Sequence, residues 1–126
     1  VERPIVAAVL ELGSRERRQP APTHVVWESL TEPRRPSARP WLDLLPDETE
    51  PNVLDSAHPH LVVWSSLWPD RPDDRIRFDL RPVGQDCGLR WTLTTTGEPP
   101  STSRLGHLRY RLNLLVNDRL RRSYGQ

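Results

Sequence analysis

Between residues 75 and 96, apolar and polar positions alternate with a period of two. Ile76, Phe78 and Leu80 fall on one side of the first run, with Arg75, Arg77, Asp79 and Arg81 on the other. Leu89, Trp91 and Leu93 alternate in the same way with Arg90, Thr92 and Thr94. Successive side chains of a strand point to opposite faces, so the pattern predicts two half-buried antiparallel strands, residues 75–83 and 88–96. Val83-Gly-Gln-Asp-Cys-Gly88 supplies the turn between them. After a loop that begins at Gly97 the period changes. Leu105, Leu108, Leu112, Leu115 and Val116 make one stripe at about 100° per residue, with His107, Tyr110, Arg111, Asp118 and Arg121 opposite. This predicts a long amphipathic helix over residues 103–122, capped by Ser103. Arg119 falls inside the stripe, but so near the helix end that it can reach outward or pair with a carboxylate.

The upstream pattern is more broken. Residues 5–12 are apolar and partly β-branched and predict a first strand, which continues through 13–19 as a charged edge and stops at Pro20-Ala-Pro22. Thr23 is an N-cap residue for a short helix over 24–30, with Val26, Trp27 and Leu30 on one face. Glu32-Pro33-Arg-Arg-Pro36 breaks that helix, and a second helical turn over 37–42 turns Trp41 inward. Residues 43–52 are acidic and poor in apolar side chains, and predict a loop or a degenerate strand. A hairpin follows: strand 52–57, a turn at His58-Pro59, and the Trp-rich strand 61–68, apolar on both faces. Residues 69–74 form an exposed loop. No internal repeat or low-complexity tract is visible.

Composition narrows the classes. The chain has 126 residues, enough for one domain spanning 1–126 with a sizeable core. Mean hydropathy is −0.68, and the 14 prolines, clustered in residues 20–72, make the middle loop-rich. Eighteen basic residues, all arginine, face 17 acidic ones. A net charge of +1 offers no long-range field to nucleic acid or an anionic membrane. Cys87 is the sole cysteine, which excludes an internal disulfide and a cysteine metal cluster and fits a reducing, cytoplasmic setting. The run Ile5–Leu10 is far shorter than the about 20 residues of a membrane span, and lacks the layout of a signal peptide. The chain begins without methionine, which leaves room for a native N-terminal extension.

Element order and loose signatures together resemble the START/Bet v 1-like (SRPBCC) superfamily, in its polyketide cyclase/dehydrase-like branch. The matching stretches are Gln19-Pro-Ala-Pro-Thr-His-Val-Val-Trp-Glu-Ser-Leu-Thr-Glu-Pro33, the Trp-containing Pro40-Trp-Leu-Asp-Leu44, the hairpin 52–68 with Pro at its turn, and the Phe-x-Leu-x-Pro…Gly…Leu-x-Trp-Thr-Leu pair over 78–93. The resemblance implies an α+β helix-grip fold: a curved antiparallel sheet wrapped around a long C-terminal α-helix, with one or two short helices after the first strand. It also implies binding of a small hydrophobic or amphipathic molecule between sheet and helix. A cyclase/dehydratase-like enzyme and a chaperone-activator-like interaction module are the alternatives, and a homodimer stays open. One stretch departs from the family pattern. Residues 43–51 are short and acidic where the family has well-formed strands, which implies a trimmed sheet and a smaller or more open cavity.

Within that frame the expected ligand-binding residues are Trp64, Ser66, Trp68, Phe78, Trp91, Leu108, Arg109 and Leu112. The aromatic rings would line a concave apolar surface with few polar groups, and Arg109, at the edge of the helix stripe, would hold an oxygen anion of the ligand. Ordinary core packing of the tryptophans is the competing reading. No catalytic residues, metal or cofactor are expected. Ser65, Ser66 and Cys87 lack a nucleophile elbow or a Cys–His signature. His58 and His60 flank a turn proline without further ligands. No glycine pattern for phosphate is present.

Overall fold

In the computed structural model, which describes residues 8–125, five strands form one antiparallel sheet in the order β1-β5-β4-β3-β2. They are β1 (Leu10–Gln19), β2 (Val53–Ala57), β3 (Leu61–Ser65), β4 (Asp74–Val83) and β5 (Asp86–Thr95). A short helix, α1 (Thr23–Thr31), and the irregular segment 32–52 carry the chain from one edge of the sheet to the other. The sheet is curved, and a C-terminal helix of 22 residues packs against it. That helix has three continuous parts: α2 (Thr102–Leu112), a π-helical segment (Asn113–Leu120) and the last turn α3 (Arg121–Ser123).

The alternation read from residues 75–96 is the register of β4 on β5. Ile76 lies opposite Leu93, Phe78 opposite Trp91, and Leu80 opposite Leu89. All six are buried, and they meet Leu108, Leu112, Leu115, Val116 and Leu120 from the C-terminal helix in one core. Val62 and Trp64 of β3, Val26 and Leu30 of α1, and Trp41 and Leu42 of the 32–52 segment complete it. The outer face is charged and largely self-paired, by Arg81–Glu16, Arg77–Asp79 and Arg18–Asp86. Such exposed pairs contribute little stability each. The edge strand β2 is exposed along its length, short, and kinked by a register shift between Val53 and Asp55, features that discourage edge-to-edge association.

Several boundaries differ from the sequence expectation. The first strand runs over Leu10–Gln19, so the charged stretch is its body, because Gly13–Gln19 pairs residue by residue with β5 beyond a bulge between Glu11 and Gly13. Of the expected strand 5–12, residues 5–7 lie outside the described residues. Pro22 holds the N-cap position of α1, and Thr23 is already helical. Ser101 caps the C-terminal helix in place of Ser103, its hydroxyl accepting from the Arg104 N–H. Residues 37–42 make isolated turns and no helix. Arg111, assigned to the outer side of the helix, is buried, for a reason given below.

The core model has a direct test. Leu112 is fully buried against the sheet, whereas Leu54 of β2 is 50% exposed. Leu112→Ala is expected to cost about 2–5 kcal/mol in urea denaturation, and Leu54→Ala less than about 0.5 kcal/mol. Equal effects would mean that the helix does not pack as described.

Candidate functional site

The structure places most of the residues singled out from sequence deep between sheet and helix. Trp64, Trp68, Trp91, Phe78, Leu108 and Leu112 are each at most 1% exposed. Their polar atoms are engaged. Trp64 Nε1 donates to the Leu30 carbonyl at 2.8 Å, tying β3 to the end of α1. Trp91 Nε1 donates to Asn113 Oδ1 at 3.0 Å, and Trp68 Nε1 to Glu48 Oε2 at 3.2 Å. Phe78 meets Trp64 edge to face, with ring centroids 4.8 Å apart. Ser66 closes a local turn, accepting from the Trp68 N–H and donating to the Trp68 carbonyl. Arg109 is exposed, and its guanidinium donates to the Leu12 carbonyl at 2.9 Å, beside the bulge of β1. It lies so close over Gly13 that a Cβ there would sit 2.7 Å from Arg109 Nε.

Residues outside that set build the more polar features. Glu48, from the segment read as a loop, forms a buried ion pair with Arg111, their side chains 0% and 5% exposed. Arg111 Nη2 reaches Oε1 at 2.7 Å and Nε reaches Oε2 at 2.9 Å, and Nη2 also donates to the Asp43 carbonyl at 2.9 Å. The Leu45 N–H donates to Oε1 at 2.9 Å. Burial by itself raises the Glu48 carboxyl, but Arg111, the Leu45 N–H and the Trp68 indole together outweigh it and hold the group below its ordinary 4.5. Burial pushes the Cys87 thiol up to about 11, so it stays protonated at neutral pH and is a poor nucleophile. Tyr124, pushed up to about 12 mainly by burial, donates to Ser29 Oγ at 2.9 Å and ties the end of the chain to α1.

Beside this ion pair lies a half-open cleft of about 470 Å³. One wall is Arg34, Arg39, Pro40, Trp41, Leu42 and Asp43; the other is Asp118, Arg119, Arg122 and Ser123 at the end of the C-terminal helix. None of the eight residues expected from sequence lines it. Trp41 connects it to the core, stacking on Trp64 with centroids 6.0 Å apart and planes 21° apart. Arg119 is exposed and faces Asp43 at 3.6 Å, one of the two outcomes foreseen for an arginine in the stripe. That misfit residue and the inward Trp41 were the two sequence signals for this site. Their juxtaposition depends on how segment 32–52 crosses the fold, which no local pattern encodes.

The ion pair generates a pH prediction. Because the folded carboxyl of Glu48 titrates below the unfolded value of 4.5, its contribution is fully present above that value and is lost as pH falls through the folded one. Glu48→Gln should therefore flatten the acid limb of the stability profile. Arg111→Met should cost about 3–5 kcal/mol at pH 7, and the double variant Arg111→Met/Glu48→Leu should recover much of that loss. Urea titrations at pH 7 and at pH 3 would check both. An unchanged acid limb in Glu48→Gln would contradict the assignment.

No family model matches the chain, and no curated protein matches it in sequence. Solved structures do match. The crystal structure of CalU16 from Micromonospora echinospora aligns with a TM-score of 0.65 at 21% identity, covering 86% of this chain and 71% of that one. The Aha1 dimer from Colwellia psychrerythraea aligns at 0.62 with 14% identity, covering 86% and 92%. An AHSA1-like protein from Rhizobium etli aligns at 0.54 with 17% identity, covering 86% and 78%. At these identities the likeness is one of fold. The chain has the helix-grip fold of these structures, the fold that the resemblance read in its sequence implies.

Proposed function

We propose that the protein binds a small amphipathic molecule, without covalent chemistry, in the cleft between residues 34–43 and the last turns of the C-terminal helix. The cleft itself carries this reading. It has about 470 Å³ of accessible space, within the usual range for a small-molecule site, with Trp41 and Leu42 as an apolar floor and arginines at the rim. The sheet–helix interior is a less suitable seat. Trp64, Trp68 and Trp91 are at most 1% exposed and each has its indole N–H satisfied, so a ligand among them would have to displace the helix. The cleft needs no such movement. In this reading Trp64, with Phe78 behind it, supports the floor from below, and Trp68 bonds Glu48, whose partner Arg111 holds the Asp43 carbonyl on one wall.

A thermal-shift panel of amphipathic compounds tests the proposal. A ligand at 100 times its Kd adds about 2.7 kcal/mol to stability, which corresponds to a rise of several degrees in Tm. Pro40 is exposed on the cleft wall, so Pro40→Trp should obstruct the site, remove the ligand-induced shift and leave the unliganded Tm nearly unchanged. A panel without shifts, or a shift that survives Pro40→Trp, would show that the cleft is not the binding site.

A further inference from the structure

The pairing of charges around the cleft points to a class of ligand. Arg34 is held by Glu50, and Arg122 by Asp118 at 3.0 Å. Arg119 reaches Asp43 only at 3.6 Å, with both side chains exposed, so that pair is loose. Arg39 stands exposed on the rim and makes no ion pair among the described residues. The lining thus offers one guanidinium more than its carboxylate partners can match, and a second that is weakly held.

A second observation, independent of charge, involves the indoles. The chain has five tryptophans. Four donate their N–H: Trp27 to the Leu61 carbonyl, Trp64 to the Leu30 carbonyl, Trp68 to Glu48 and Trp91 to Asn113. The fifth is Trp41, the one that lines the cleft. Its Nε1 is buried and has no acceptor among the described residues. Buried donors without a partner are uncommon in native proteins, and each asks for an explanation. That donor is closed off from the cleft, so Trp41 presents its apolar ring there, and the call for an anion comes from the spare cation on the rim.

Resting on the reading of the cleft as the binding site, we infer that its ligand is a monoanionic carboxylate with an aromatic or acyl body. The head group pairs with Arg39 and draws Arg119 from Asp43, while the body lies against Trp41, Leu42 and Pro40. The planar, two-pronged carboxylate matches the guanidinium fork. A phosphate dianion matches the cleft less well, because it brings more charge than the spare cation offsets.

The test compares two probes of one shape, 2-naphthoate and 2-naphthamide, titrated calorimetrically into the full chain and into Arg39→Gln and Arg119→Gln. The acid is expected to bind about tenfold more tightly than the amide, with the preference shrinking in high salt. Arg39→Gln should remove most of that preference by weakening the acid far more than the amide, and both variants alter exposed side chains, so circular dichroism should show an unchanged fold. Equal binding of acid and amide would overturn the inference and leave the cleft reading intact. A preference that survives both substitutions would also overturn it, by placing the anion elsewhere. If neither probe binds, the cleft reading fails and the inference fails with it.

Discussion

The buried pair of Arg111 and Glu48 ties the irregular segment to the C-terminal helix where the apolar packing of Trp41 and Leu42 ends. Glu48 belongs to an acidic, proline-flanked segment without regular structure, and Arg111 to the middle of the C-terminal helix. Taking both charges out of water is costly unless each lone pair and each donor is matched. Here both carboxylate oxygens accept two hydrogen bonds, from Arg111 and Leu45 on one side and from Arg111 and Trp68 on the other. Meeting that requirement also fixes geometry. The Trp68 ring is oriented by its bond to Glu48, and the Asp43 carbonyl is held by Arg111. Trp41 and Leu42 precede Asp43 directly, so the wall of the cleft is positioned by an ion pair in the core.

The other side of the helix is fastened to β1 by polar groups. Arg109 donates to the Leu12 carbonyl, Arg17 to the Asn117 carbonyl, Gln19 to the Val116 carbonyl and Arg121 to the Arg18 carbonyl. These contacts cover a strand that would otherwise present an open edge. Those of Arg17 and Gln19 reach the π-helical segment, where Asn113 and Asn117 share a hydrogen bond. The arrangement is not fully satisfied. Gln19 Oε1 and Asn117 Oδ1 are buried without partners among the described residues, and each such group costs about 1–3 kcal/mol. π-helical stretches occur often at functional sites. This one carries Asp118 and Arg119 into the cleft wall, which links an unfavourable local geometry to the site.

Sheet and helix were legible because their burial is periodic. The alternation over Arg75–Val83 and Leu89–Thr94, and the stripe from Leu105 to Val116, record directly which faces are covered. The fate of Arg111 was not legible. Helical phase alone put it on the outer face, and only the path of residues 43–48 over that face buries it. The site was obscured for the same reason. Trp64, Trp68 and Trp91 lie on regular strands or just beyond one and are visible as an aromatic cluster, whereas the cleft is built by an irregular segment crossing a helix end. Long-range placement of an irregular segment leaves no period to read. Only single misfits mark it, here an arginine in an apolar stripe and a tryptophan in a polar loop.

Those misfits also explain why the fold can keep a filled interior and still offer a site. A helix-grip sheet leaves space between its concave face and the helix, and here Trp64, Trp91 and Phe78 occupy it with rings that are locked by hydrogen bonds or edge-to-face packing. Filling that space removes flexibility, because a close-packed interior transmits displacement instead of absorbing it. Trp41 stacks on the outermost of these rings, so the cleft floor rests on a rigid column running from Phe78 through Trp64 to the rim. Under the proposed reading, a ligand pressing on that floor meets little give, and its affinity depends on what the rim arginines hold in place. For the proposed site, the aromatic cluster supplies a firm support beneath Trp41.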